Sequence, residues 1–267
     1  MSASKMTRLL FVAISVLSLP LCWAQAPSGT VTLPIDSTTT PVWDLSGDLA
    51  VNQPMKGAGG TIIPMSFGVS LLHDANGRLR GSGLTQLAIG EDVIASDYTV
   101  TGSVSGGGDT TRVSLTVKLT GQDVIASVDT PFKITITYHL TVDPATLSLT
   151  GTSSGNAKFN KLKGGGSINS DVSIPLPAGS DGSWTVQMEI LPLTSLAGSG
   201  SFVFATRSLP TGLSGSFSKS SNVTKVKLTG INEGKGSTLN LNLSTTADGT
   251  VDIQSLKGKV LGQSVKQ

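Results

Sequence analysis

Apolar and polar residues alternate with strict period two over much of this chain, which leaves little choice of secondary structure. Met65, Phe67, Val69 and Leu71 form one run, and Val113, Leu115, Val117 and Leu119 form a second. Ile134, Ile136, Tyr138, Leu140 and Val142 follow, then Trp184, Val186, Met188 and Ile190, then Leu239, Leu241 and Leu243. Successive side chains of a strand point to opposite faces, so each run reads as a strand buried on one face only. No window sustains a helical period. Turn signals at Asn76-Gly77, Gly106-Gly107-Gly108-Asp109, Asp143-Pro144, Asp181-Gly182 and Asp248-Gly249 punctuate the runs. The gaps have no room for crossover helices. The chain is therefore predicted to be all-β, an antiparallel meander of roughly 12–14 amphipathic strands.

Two internal matches bear on how those strands are arranged. Gly90-Glu91-Asp92-Val93-Ile94-Ala95-Ser96 returns as Gly121-Gln122-Asp123-Val124-Ile125-Ala126-Ser127, with one change in seven and an offset of 121 − 90 = 31. Leu84-Thr85 and Leu115-Thr116 keep that offset, and a spacing near 30 suits a hairpin with its turns. A longer, weaker match pairs Leu79-Arg80-Gly81-Ser82-Gly83 with Leu196-Ala197-Gly198-Ser199-Gly200. It also pairs Val117-Lys118-Leu119-Thr120-Gly121 with Val226-Lys227-Leu228-Thr229-Gly230. Two pseudo-repeated halves are expected, stacked as a β-sandwich or closed into a barrel. The expected divisions are a signal peptide over 1–24, a Pro/Thr-rich leader over 25–42 and a first half over 43–155. A Lys/Gly-rich connection over 156–170 and a second half over 171–267 complete them.

The N-terminus reads as a secretory leader. Lys5 and Arg8 precede the apolar run Leu9 to Leu21, and Cys22-Trp23-Ala24-Gln25-Ala26 offers small residues for cleavage, expected after Ala24. Such a run is too short to span a bilayer as a helix. The mature chain would then hold no cysteine, which excludes disulfides and thiolate metal sites. It would hold 17 bases against 17 acids, since two of the 19 bases lie in the leader. Neutrality argues against nucleic acid as a partner. The charge is uneven, at 6 − 11 = −5 from Gln25 to Gly155 and 11 − 6 = +5 from Asn156 onward. Oppositely charged halves would favour head-to-tail self-association or a polar ligand between them.

Catalytic material is sparse, and no catalytic set, metal site or cofactor is predicted. Gly151-Thr152-Ser153-Ser154-Gly155 has the spacing of a nucleophile elbow, but no histidine follows it. A His139, Asp143, Ser153 order is formally available. His73-Asp74-Ala75-Asn76-Gly77 reads as a hairpin turn more readily than as part of a calcium loop. Glu189 falls mid-strand on a polar face. The ligand-binding candidates are Asp92 and Ser96 with their counterparts Asp123 and Ser127. Hairpin periodicity would bring these out at one end of the sheet in the same orientation, suited to a cation, a glycan or a partner protein. The leading functional expectation is a secreted or periplasmic non-enzymatic β-rich protein, a binding, adhesive or envelope-associated module. The alternatives are an outer-membrane β-barrel, a carrier of an apolar ligand, and a polysaccharide-acting enzyme on a β scaffold.

Overall fold

The computed structural model describes residues 29–35, 42–125, 128–159, 164–180, 184–190, 195–204, 207–217, 223–230, 236–245 and 251–267. In chain order the strands are β1 (Gly29–Ile35), β2 (Gly47–Asn52), β3 (Met55–Lys56), β4 (Ile62–Ile63), β5 (Met65–His73), β6 (Arg78–Ile89), β7 (Asp92–Ser105), β8 (Arg112–Ile125) and β9 (Val128–Asp143). They continue as β10 (Ser148–Phe159), β11 (Gly164–Pro175), β12 (Trp184–Ile190), β13 (Ser195–Phe204), β14 (Ser208–Phe217), β15 (Val223–Gly230), β16 (Thr238–Thr245), β17 (Val251–Val260) and β18 (Gln263–Lys266). The fold is all-β, and every described pairing is antiparallel. A first sheet of ten strands runs β2, β5 to β11 in sequence order, then β3 and β4. A second sheet of eight runs β1, then β12 to β18.

The alternation seen in the sequence is the alternation of burial. On β5, Met65, Phe67, Val69 and Leu71 are buried, with exposed or half-buried residues between them. The inward residues of β7 to β10 join them in one core, while β15 to β18 build a second core around Val226, Leu228, Leu241 and Leu256. Each fully buried aliphatic or aromatic side chain contributes about 1.5–3 kcal/mol.

The first sheet curls strongly. β2 pairs with β5, and only Gln53 and Pro54 later β3 pairs with β11 at the far edge, so one short segment borders both edges. Gln53 fastens that curl by donating its Nε2 to Ser170 Oγ at 2.6 Å. Size matching across β9 and β10 helps. Leu140, Tyr138 and Ile136 on β9 lie directly opposite Gly151, Ser153 and Gly155 on β10, so large inward side chains face small ones.

Two regions differ from the sequence expectation. Gly29–Ile35, within the expected leader, is β1, paired with β12 at the edge of the second sheet. Residues 156–159 and 164–170, within the expected connection, are paired ends of β10 and β11, and the chain changes sheet only after Pro175.

Two inward tyrosines make opposite use of their hydroxyls. Tyr98 lies against its cross-strand partner Gly83, and its hydroxyl accepts a hydrogen bond from Ser70 N at 3.1 Å, where the β5–β6 register shifts. The hydroxyl of Tyr138 is buried in the core without a hydrogen-bond partner among the described residues, and burial raises its pKa above the ordinary phenol value. Tyr98→Phe is expected to cost about 1 kcal/mol, because it strands the Ser70 amide. Tyr138→Phe is expected to be neutral or stabilising by up to about 1 kcal/mol, since it removes only a desolvation penalty. Urea titration of both variants checks the contrast, and an equal loss in both would contradict the assignment.

The sheets dock through a buried polar junction. Val42 packs into the second core and the next residue, Trp43, into the first. Gln263 of β18 brackets Trp43, accepting from its N–H at 2.9 Å and donating to its carbonyl at 2.7 Å. His73 accepts from Leu45 N at Nδ1 (3.2 Å), which leaves Nε2 to donate to Leu261 O (3.1 Å). Asp44, 3% exposed, pairs its Oδ2 with Arg207 Nε at 2.9 Å, and Arg207 also donates to the His73 carbonyl. The turns abut here as well. Gly77 and Gly262 both have positive φ, and a Cβ on either would lie 2.8 Å from the other's Cα.

Candidate functional site

Of the four residues singled out by the short repeat, Asp92, Ser96 and Asp123 hold different places in the sheet. Gly90 and Glu91 are the turn between β6 and β7, so Asp92 opens β7 and is exposed. Gly121 lies inside β8, and Asp123 stands near the end of that strand with its backbone paired to Thr130. The strands that follow the two copies' hairpins begin at Asp92 and Val128, an interval of 128 − 92 = 36 residues against the repeat's 31. The copies are therefore out of phase with the hairpins. Asp92 and Asp123 share one end of the sheet, but on strands running in opposite directions rather than in the same orientation. Ser96 is 1% exposed, and its hydroxyl donates to the carbonyls of Asp97 and Thr120 at 3.1 and 3.2 Å. It serves the sheet. Ser127 lies outside the described residues.

The formal catalytic order is separated by the sheet itself. His139 on β9 is exposed, whereas Ser153 on β10 is buried and donates to Ser170 O at 3.1 Å. Neighbouring strands put them on opposite faces, since His139 pairs with Thr152 and Ser153 with Tyr138. Asp143 serves its turn, where hydrogen bonds from Thr146 Oγ1 and the Ala145 amide hold its carboxyl below the ordinary range. Asp74 also caps its own turn, accepting from the amides of Asn76 and Arg78 at 2.9 Å each. Glu189 is paired through its backbone with Thr30. Among the described residues no three His, Cys, Asp or Glu side chains gather as a metal site.

The outward faces hold the feature that a search for motifs passed over. On the first sheet, cross-strand pairing lines up Arg78, Ser103, Ser114, His139, Thr152 and Asp171 in one row across six strands. The next row but one on the same face reads Ser82, Thr99, Lys118, Thr135, Asn156 and Ser167. Hydroxyls fill the grid, and bases outnumber acids on it.

No family model, curated protein or solved structure matches the chain. The surface chemistry must therefore carry the functional argument.

The second sheet repeats the sorting with fewer acids. Its outward residues include Lys225 and Lys227 on β15, Asn240 and Asn242 on β16, and Lys257 and Lys259 on β17. Pairing sets Ser214, Lys227, Asn240 and Lys257 in one row. A second row holds Ser216, Lys225, Asn242 and Ser255, and Asn242 Nδ2 donates to Ser255 Oγ at 2.8 Å. A shallow surface groove over β14 to β16 is lined in part by Ser214, Lys225, Lys227, Asn240 and Asn242. The signal was present in the sequence as Lys-x-Lys spaced to the strand period. It becomes a site only when pairing puts β15 and β17 on either side of β16.

Proposed function

We propose that the protein is a secreted or periplasmic, non-enzymatic binding module of the cell envelope that works through the outer faces of its sheets. The observation that carries this reading is the sorting of side chains. Apolar residues face inward into two cores, while lysines, arginines, asparagines and hydroxyls face outward. A lipid-facing barrel requires the reverse on its outer surface. A carrier requires interior space, and here the inward side of the first sheet is occupied by Leu115, Ile134, Ile136 and Tyr138 packed in one cluster. A hydrolase requires converging acid, base or nucleophile groups, and His139 and Ser153 face opposite ways. The leader-like N-terminus supports export.

Expression of the whole precursor in a Gram-negative host tests the reading. A mature protein beginning at Gln25, released by osmotic shock and partitioning into the aqueous phase of Triton X-114, is the expected outcome. Retention in the membrane after carbonate extraction would overturn it.

A further inference from the structure

We infer that the outer face of β14 to β17 is a binding site for an acidic polysaccharide, with Lys225, Lys227, Lys257 and Lys259 as its charged contacts and Asn240 at its centre. The inference rests on the reading of the protein as an exported binding module and names the ligand class that module takes.

The described residues of β14 to β18 and their connections carry five lysines, namely these four and Lys266, against one acid, Asp252. Among the described residues, none of the four is in an ion pair. Lysines two apart on one strand stand about 7 Å apart, and those on β15 and β17, with one strand between, about 10 Å apart. Lys227 and Lys257 flank Asn240 directly, while Lys225 and Lys259 stand one row away on opposite sides, so the four outline a slanted parallelogram centred on Asn240 of β16. Asn242 donates its side-chain amide to Ser255, but the side-chain amide of Asn240 makes no hydrogen bond to another described residue. A neutral amide that both donates and accepts, set between four cations, matches a polymer that alternates anionic groups with hydroxyls.

The other polyanions fit this face less well. Single-stranded nucleic acid binds through aromatic platforms, and the described outward residues of β14 to β17 include no aromatic. An anionic membrane would call for apolar side chains able to insert between headgroups. The described outward residues here are mostly Lys, Asn, Ser and Thr, with Asp252 and Gln254, and only Pro210 and Val223 among them are apolar. Lysine supplies point charges rather than a planar fork, so recognition of spaced carboxylates or sulfates suits it better than bidentate gripping of one group.

The test uses the full mature protein and polygalacturonate, with neutral dextran and single-stranded DNA as comparators. Wild type is expected to bind polygalacturonate, with affinity falling steeply as salt rises, and to ignore dextran. Lys227→Gln/Lys257→Gln is expected to weaken binding about tenfold or more, corresponding to about 0.7 kcal/mol or more per lost contact. All four positions tested are exposed, so folding should survive. Lys118→Gln/Lys133→Gln on the first sheet is expected to bind as wild type does. No binding to polygalacturonate, an equal loss in the two double variants, or tighter binding of DNA would overturn the site. Failure here leaves the fractionation result standing, and failed export leaves this binding result standing, so the two claims fall separately.

Discussion

Lowering the pH from 6.5 to 4 is expected to remove on the order of 3 kcal/mol of stability through His73 alone. The imidazole is 0% exposed at the junction, and its pKa is lowered to about 4. Desolvation by burial is the main cause, and the nearby Arg207 guanidinium acts in the same direction while Asp44 opposes it. The sign follows from which state binds the proton first. An unfolded chain takes it up near pH 6.5, whereas the folded chain does so only near 4. Above 6.5 both states are neutral at this position, so its contribution is then constant. Between those values the unfolded state is favoured by about 1.4 kcal/mol per pH unit, and below 4 this group adds no further loss.

Geometry explains why the proton is unwelcome. Nδ1 accepts from Leu45 N, so a proton there would break the bond that holds the inter-sheet segment. The chain has two histidines, and NMR titration of their ring protons should show one that stays neutral down to about pH 4. Urea midpoints at pH 6.5 and 4.5 supply the stability side. Two imidazoles that both titrate above pH 6 would sink the account of the junction.

Gly77→Ala is expected to be similarly damaging, at about 3 kcal/mol. Its φ of 78° lies in the left-handed region, which alone costs an alanine about 1–2 kcal/mol. The added Cβ would also meet Gly262 Cα at 2.8 Å, Val104 O at 3.0 Å and Leu261 O at 3.1 Å. These are backbone atoms of two segments, β7 and the β17–β18 turn of the opposing sheet, and none can swing aside as a side chain would. Overpacking of this kind adds about 1–3 kcal/mol. Gly59 separates the two causes. Its φ is 76°, yet nothing lies within 4 Å of its would-be Cβ. Gly59→Ala should therefore cost only the conformational part. Thermal unfolding of both variants is expected to show Gly77→Ala lower by several degrees. Equal melting temperatures would mean that the turns are not in contact.

The parts of the fold legible in the sequence were those set by side-chain parity. Burial along β5, β8, β9 and β16 follows the alternation of Met65 to Leu71, Val113 to Leu119, Ile134 to Val142 and Leu239 to Leu243. Parity is local, so a single strand reveals it. Phase between strands is not local. The two Asp-Val-Ile-Ala-Ser copies look equivalent, yet one begins a strand and the other ends one, because hairpin register is set by pairing along strands of 12 to 16 residues. Ser96, expected at an open end of the sheet, shares the inward parity of Ile94 and Tyr98, which buries it. β1 was masked by Pro34, which an edge strand tolerates because one side of its backbone needs no donor. The lysine face had a readable parity too, but its assembly depends on β15 and β17 flanking β16.

Lysine acylation read by mass spectrometry, with and without saturating polygalacturonate, tests the functional reading most directly, because both sheets carry the same reactive group. The account predicts that Lys225, Lys227, Lys257 and Lys259 lose reactivity on binding while Lys118, Lys133 and Lys158 keep theirs. Protection spread evenly over both sheets, or confined to the first, would contradict it.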